Sequence, residues 1–318
     1  MKKTTIISPI FGLSFGILAV STASIFIRFA QEQAPSLVIA AGRLSIATLL
    51  LAPFVLFRSW REIKSLPKRI FGLLILAGIF LGLHFATWIT SLEFTSVASS
   101  VVLVATSPLW VALLSPIFLK EKISKIVFIG LIVSLFGSAI VGLNSSCQFS
   151  GDQLRCLSIE SMFGGRVFIG NLLALAGAFF SAGYLMIGRK VRNNLSLPVY
   201  TFLVYGMAAL VLLLMVTVSG KPLVAYSAPI WIWIILLALI PQLLGHSTFN
   251  YFLKSLSAAF VSIALLGEPI GTVIMAYLFL HESPSLLEIG GGVLILLGIF
   301  VASRANNQKQ PIQEILPE

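Results

Sequence analysis

Long apolar stretches, each cut off by charged or turn-forming residues, run through most of this chain. They fall at Pro9–Phe29, Ser36–Phe57, Ile70–Leu92, Val97–Leu119 and Ile126–Leu143. After a polar segment, Asn144–Arg166, they resume at Phe168–Gly188, Val199–Ser219, Pro229–Phe252, Ser257–Leu280 and Leu286–Ala302. Each is 17 to 24 residues long, the length at which an apolar helix crosses the roughly 30 Å hydrocarbon core of a bilayer. None alternates with period two, so barrel strands are excluded. The pattern predicts an all-α polytopic membrane protein with ten transmembrane helices. Lys2, Lys3 and the small-residue patch Ser21-Thr22-Ala23-Ser24 give the first run some features of a signal peptide. The apolar run continues through Ile25-Phe26-Ile27, and it is read as a helix.

Composition points the same way. With 58% hydrophobic and 10% charged residues, the chain lacks the quarter of charged positions that a soluble domain spreads over its surface. The formal charge of +10 has a topological meaning. With the N-terminus inside, 16 of the 21 Lys and Arg fall on inner loops, Arg58, Arg61, Lys64, Lys68 and Arg69 being the densest group. Arg28, Arg155, Arg166 and Lys221 fall outside. Basic loops stay cytoplasmic, so both termini are expected there and the polar loop on the far side. That loop carries the chain's two cysteines, Cys147 and Cys156; in an oxidising compartment a disulfide between them is expected.

The chain also repeats itself. At an offset of 161, Ser107-Pro108-Leu109 falls on Glu268-Pro269-Ile270, and Phe118-Leu119-Lys120-Glu121 on Phe279-Leu280-His281-Glu282. Gly130 and Gly137 fall on Gly291 and Gly298, and Gly16 and Arg28 on Gly177 and Arg189. Each half holds five spans, so the second enters from the opposite side. Inverted repeats of this kind characterise secondary transporters, whose substrates bind near the midplane between the halves. The expected division is residues 1–143 and 167–303 as the two repeats, 144–166 as the external loop and 304–318 as a cytoplasmic tail.

These motifs, with Arg43 in the second span and Ser91-Leu92-Glu93-Phe94-Thr95-Ser96 after the third, resemble the EamA family of the drug/metabolite transporter superfamily. The resemblance covers nearly the whole chain. It implies an inner-membrane carrier, bacterial in type, that exports or exchanges small metabolites such as amino acids. The long cysteine loop departs from the family pattern, and the shared motifs name no substrate.

Polar residues inside spans mark the candidate site, since an ionisable group at the bilayer centre costs about 3 kcal/mol on insertion scales. Glu268 lies near the middle of the ninth span. It either steadies the break at Pro269 or takes up a proton or a substrate amine. Pro269, like Pro108, should break its helix and leave a carbonyl, here that of Leu265, free for a ligand. Gly267 and Gly271 flank the carboxylate and suit a close helix crossing. Arg43 is the expected ion-pair partner of Glu268, or a holder of substrate carboxylate. His84 and Trp88 share a helix face, and Gln242, His246 and Asn250 repeat the four-residue spacing on the eighth span. The expected substrate-binding set is His84, Trp88, Tyr184, His246, Asn250 and Glu268. Lys120-Glu121 and His281-Glu282 are read as anchors of helix ends.

Other hits carry nothing. Gly12-Leu13-Ser14-Phe15-Gly16 spells a hydrolase elbow but lies inside an apolar helix, and Gly12–Gly16 and Gly78–Gly82 read as packing pairs. Asn144-Ser145-Ser146 is a glycosylation sequon only in a glycosylating host. No nucleotide loop is present, so ATP-driven transport by this chain alone is excluded. No cofactor, no metal site and no nucleic-acid partner is expected. The expected function is a non-enzymatic secondary transporter working by alternating access, with small molecules, the bilayer and a choice of proton coupling, exchange or facilitated flow. The alternatives are an uncoupled channel or an intramembrane enzyme using His84, His246 and Glu268.

Overall fold

The computed structural model describes residues 9–118, 125–143, 147–150, 153–156, 165–192, 195–256 and 258–307. The first half contains α1 (Pro9–Ser21), α2 (Ala23–Gln31), α3 (Ser36–Arg58), the short α4 (Trp60–Lys64), α5 (Lys68–Ser91), α6 (Val97–Val104), α7 (Ser107–Phe118) and α8 (Lys125–Leu143). A hairpin of β1 (Cys147–Ser150) and β2 (Gln153–Cys156) follows. The second half contains α9 (Arg166–Val191), α10 (Leu197–Val218), α11 (Ala228–Leu237), α12 (Ser247–Phe252), α13 (Ala258–Ala264), α14 (Gly267–Met275) and α15 (Leu286–Asn307). Two π-helical segments, Ala238–His246 and Ala276–Leu280, extend α11 and α14.

Seven stretches among the described residues are long and apolar enough to cross a membrane: Phe11–Gln31, Ser36–Arg58, Lys68–Ser91, Val97–Leu114, Arg166–Val191, Leu197–Val218 and Ala228–Phe252. Phe128–Val141, Gly267–Leu280 and Leu286–Gly298 are shorter apolar helices. The chain is thus an integral membrane protein, with seven full-length spans among the described residues; ten were expected. The ninth run is interrupted. Its helix stops at Ala264 and restarts at Gly267, ahead of Pro269, and it ends where His281 turns left-handed at φ 55°. Pro108 marks the same interruption between α6 and α7. Both prolines stand in the first turn of the new helix, where a missing N–H leaves no bond unmade.

Starts and stops have local causes. Pro35 and Pro67 are extended and precede α3 and α5. The backbone N–H of Ser36 donates to Glu93 Oε1 at 3.0 Å, and that of Ser196, before α10, donates to Glu62 Oε1 at 2.7 Å. Each carboxylate thereby meets a donor that the helix start leaves open. Gly220, at φ 67°, closes α10.

α8 packs on α15, α5 on α9, and α10 on both α3 and α5. The α8–α15 crossing follows the repeat. A methyl group at Gly137 would sit 2.6 Å from the carbonyl oxygen of Gly291, and one at Gly291 would sit 2.7 Å from that of Gly137. Gly298 meets Gly130 in the same way. Backbone against backbone at both points leaves room only for glycine. The sequence images 130/291 and 137/298 therefore meet crosswise, as a local two-fold requires.

In the hairpin, Cys147 lies directly opposite Cys156, and Ser150 opposite Gln153. The polar loop thus holds a two-stranded element. The cue was present in Gly151-Asp152, a turn dipeptide between short mixed strands. The Asn144-Ser145-Ser146 sequon, Lys120 and Glu121 lie outside the described residues.

Candidate functional site

The two helix breaks face each other across a small cavity. Its wall includes Val101, Val104, Ala105 and Ser107 from the first half and Ser262, Leu265, Leu266 and Glu268 from the second. Each is the image of its opposite number at the repeat offset of 161. The cavity thus sits on the axis relating the halves. His84, Trp88, Pro108, Ser181 and His246 complete it. Its volume is about 40 Å³. At about 10–15 Å³ per water-sized sphere, that is room for about three waters.

Four expected residues, His84, Trp88, His246 and Glu268, are together in this wall. His84 Nδ1 lies 2.9 Å from the carbonyl oxygen of Gly177 and donates to it. That bond fixes the tautomer, so Nε2 keeps its lone pair. The His84 and Trp88 rings stack 5.8 Å apart at 11°, and the Trp88 indole N–H is buried without a protein acceptor. His246 meets Phe85 edge-on at 5.3 Å.

Glu268 is seated by its glycine neighbours. A methyl group at Gly267 would lie 2.9 Å from Ile17, and one at Gly271 would lie 2.9 Å from Ser21 Cβ. Ser21 Oγ donates to Ile17 O at 2.9 Å and approaches Glu268 O at 3.3 Å, while Thr272 Oγ1 donates to Ser21 O at 3.1 Å. α14 therefore lies flush on α1 while the Glu268 side chain borders the cavity. The Leu265 carbonyl is not left unpartnered. With no N–H at Pro269, it accepts instead from the backbone N–H of Glu268, at 2.9 Å. At the equivalent break, Ser107 Oγ donates to Val104 O at 3.0 Å and approaches Ala178 O at 3.2 Å.

Arg43 makes no direct ion pair with Glu268, which was one of its expected roles. It is fully buried, its Nε donates to Gln242 Oε1 at 2.8 Å, and its guanidinium lies 4.2 Å over the Phe85 ring. Both terminal nitrogens are buried without protein acceptors. An aromatic face and an amide dipole thus stand in for the carboxylate.

Tyr184 and Asn250 meet outside the cavity wall. Tyr184 Oη donates to Asn250 Oδ1, Asn250 Nδ2 donates to Tyr205 Oη at 3.2 Å, and Arg192 Nε donates to the Asn250 carbonyl at 2.8 Å. The four-residue stripe on the eighth span is dispersed because its first part is π-helical. A wider turn rotates each next residue away from the α-helical face. Gln242 consequently faces Arg43, His246 the cavity and Asn250 the tyrosines. Sequence reasoning missed Ser262, Ser107 and Ser181 as lining residues; serine in an apolar helix is common, and only the repeat pairing with Val101 singles out Ser262.

The ends of the fold differ. At one end, Arg28 Nη2 pairs with Glu282 Oε1 at 3.0 Å, and the Val97 N–H donates to Glu282 Oε2 at 3.0 Å. Ser99 Oγ donates to Glu288 Oε1 at 2.7 Å, as does Ser96 Oγ, and Thr95 Oγ1 donates to Asn171 at 2.9 Å. All five join one half to the other. At the opposite end, Ser196 of the second half donates through its N–H and Oγ to Glu62 of the first, both at 2.7 Å, while Arg189 donates to the carbonyls of Leu253 and Lys254 within its own half. Among the described residues no group of three His, Cys, Asp or Glu is placed to hold a metal ion.

The model of the EamA-like transporter family matches this chain twice, over residues 7–143 and 168–304. The two matches begin 161 residues apart and end 161 residues apart, the offset of the internal repeat. The chain is similar to Uncharacterized transporter YyaM of Bacillus subtilis (strain 168), with 26% identity over 83% of each chain. It is also 26% identical to an Uncharacterized transporter of Archaeoglobus fulgidus, over 96% of this chain and 99% of that one. A solved structure titled "Crystal structure of protein" superposes with a TM-score of 0.65 at 17% identity, covering 96% of this chain and 99% of its own. At that identity the likeness speaks for the fold.

Proposed function

The chain belongs to the EamA-like transporter family, and on that premise we propose that it is a secondary carrier exporting or exchanging small organic metabolites such as amino acids. One observation carries the reading: the cavity on the axis between the halves is lined by repeat-related residues and, among the described residues, by a single carboxylate, Glu268. The seven long and three shorter apolar helices are read as ten spans in two inverted repeats of five. Loop charge supports a cytoplasmic position for both termini, in a bacterial inner (cytoplasmic) membrane.

The geometry supports alternating access. A space for about three waters is too small for a metabolite, so the halves must separate to admit one. Five cross-half contacts at the end of Arg28, Glu282 and Glu288 close the outer side, and the two from Ser196 to Glu62 close the cytoplasmic side; the smaller cytoplasmic set parts first to admit substrate. Rocking about the helix breaks at Pro108 and Pro269 then exposes the same cavity outwards. Glu268 takes the substrate amine or a proton, His84 Nε2 accepts a hydrogen bond, and the Trp88 indole N–H donates one. The two unpartnered Arg43 nitrogens supply positive field behind Phe85. Tyr184 and Asn250 join the site in a state where the eighth span rotates. The outer hairpin is closed by a Cys147–Cys156 disulfide. Directly opposed residues on antiparallel strands lie about 4.5–5.5 Å apart at Cα, within the range such a bond accepts. A mass shift on reduction and alkylation, absent without reductant, checks it.

Proteoliposomes containing the purified chain test the proposal against a panel of radiolabelled amino acids and other small metabolites. A carrier gives saturable flux with counterflow, weakened by Trp88→Ala. Non-saturating flux without counterflow would make it a channel.

A further inference from the structure

A groove of about 530 Å³ opens between α3, α5 and α10, away from the central cavity. Its walls include Thr48 and Leu49 of α3, Phe71 and Leu74 of α5, and Phe202 and Met207 of α10. Along α10 the lining runs from Phe202 to Leu213. At 1.5 Å per residue that is about 16 Å, half the thickness of a bilayer's hydrocarbon and so one leaflet deep. The groove owes part of its depth to Gly206, where an added methyl group would meet only Thr48 Cγ2, at 3.3 Å.

The groove begins one helical turn from a cluster of cations. Phe71 follows Lys68 by three residues, and the α3–α4–α5 corner carries Arg58, Arg61, Lys64, Lys68 and Arg69, all exposed. Its single acid, Glu62, is already engaged, both oxygens accepting from Ser196 at 2.7 Å. None of these five cations stands within ion-pair distance of a carboxylate among the described residues. The corner also presents Phe57, 91% exposed, and Trp60, over whose ring Lys64 Nζ lies at 5.5 Å. An aromatic ring beside lysines and arginines is the composition of a membrane–water interface.

We infer that this corner binds one anionic phospholipid, its phosphate held by Lys68, Arg69 and the α4 cations and one acyl chain lying in the groove. Three competing occupants each satisfy only half of it. A soluble anion neutralises the cations and leaves the apolar groove uncovered. A neutral lipid fills the groove and leaves five charges unmatched. A second copy of the chain brings its own positive corner against this one. An anionic lipid meets both demands, because juxtamembrane basic clusters attract acidic headgroups. This site does not depend on the transport reading.

Native mass spectrometry of the full chain, titrated with phosphatidylglycerol or phosphatidylcholine and followed by thermal unfolding, tests the assignment. One phosphatidylglycerol should be retained at least tenfold more tightly than phosphatidylcholine and should raise Tm by several degrees. Lys68→Gln with Arg69→Gln should abolish the preference for the anionic headgroup. Gly206→Leu should weaken retention of both lipids while helix content by circular dichroism stays unchanged. Equal retention of the two lipids, the same stabilisation from glycerol phosphate alone, or a dimer in place of the lipid adduct would each overturn it.

Discussion

Arg28 and Arg189 occupy the same place in the two halves, 161 residues apart, and do different work. Arg28 reaches across to Glu282 and locks the halves together, while Arg189 caps carbonyls of its own half. The same divergence runs through the cavity. Val101 faces Ser262, and Ser107, with its hydroxyl bonded to backbone, faces the carboxylate of Glu268. Positions that fix backbone approach, Gly130, Gly137, Gly291 and Gly298 with Pro108 and Pro269, stayed alike. Positions that face the cavity did not. Backbone contact tolerates no alternative residue, whereas one carboxylate in a low-dielectric space is preferable to two, which would repel and hold each other protonated. The repeat thus builds the fold twice and the chemistry once.

The strongest way to break this comparison is at a shared position. Gly291→Leu should cost several kcal/mol, at or beyond the upper range for overpacking, because the obstacle is the Gly137 backbone and cannot repack. Thermal unfolding in detergent reads it. Gly290→Leu, where an added methyl group meets nothing within 4 Å, should leave Tm unchanged.

A transplant tests the unshared carboxylate. Glu268→Ser combined with Ser107→Glu keeps one acid on the axis but moves it to the half whose side chain is tied to Val104 and Ala178. Flux should stay at least tenfold below wild type, like Glu268→Ser alone. Recovery in the double variant would show that the halves are interchangeable.

Glu282→Gln removes the charge that Arg28 pairs with while keeping an acceptor for Val97. The pair is 26% and 32% exposed, so its loss should cost about 0.5–1 kcal/mol, up to a fivefold shift towards opening of that end. An impermeant thiol reagent acting on Ser262→Cys, with Cys147→Ser and Cys156→Ser, should label faster from that side. Arg189→Gln should leave that rate unchanged. The smallest effect belongs to Ser262→Val, which makes the second half match the first. Half-maximal flux should need two- to threefold more substrate, about 0.5 kcal/mol and the low end of one net hydrogen bond.

The apolar runs, the glycine and proline repeats and the shared face of His84 and Trp88 were all legible in the sequence, because each follows from local spacing or a constant offset. What was not legible depended on departures from regular geometry. The π-helical turn at Ala238–His246 scattered the Gln242, His246 and Asn250 stripe among three environments. Arg43 found an aromatic face and Gln242, since partners 199 residues away leave no trace in spacing. The Leu265 carbonyl found the nearest N–H after Pro269 removed the usual one. The cysteine register became visible only once two short strands paired.

Glu268→Gln in proteoliposomes, measured with and without a pH gradient, bears most directly on the claim that the second half carries the chemistry. The amide keeps the size of the side chain and removes its charge. Gradient-dependent flux in the wild type that falls to background in the variant is the predicted result. Undiminished flux in Glu268→Gln under both conditions would contradict it and make the carboxylate a structural support for the break at Pro269.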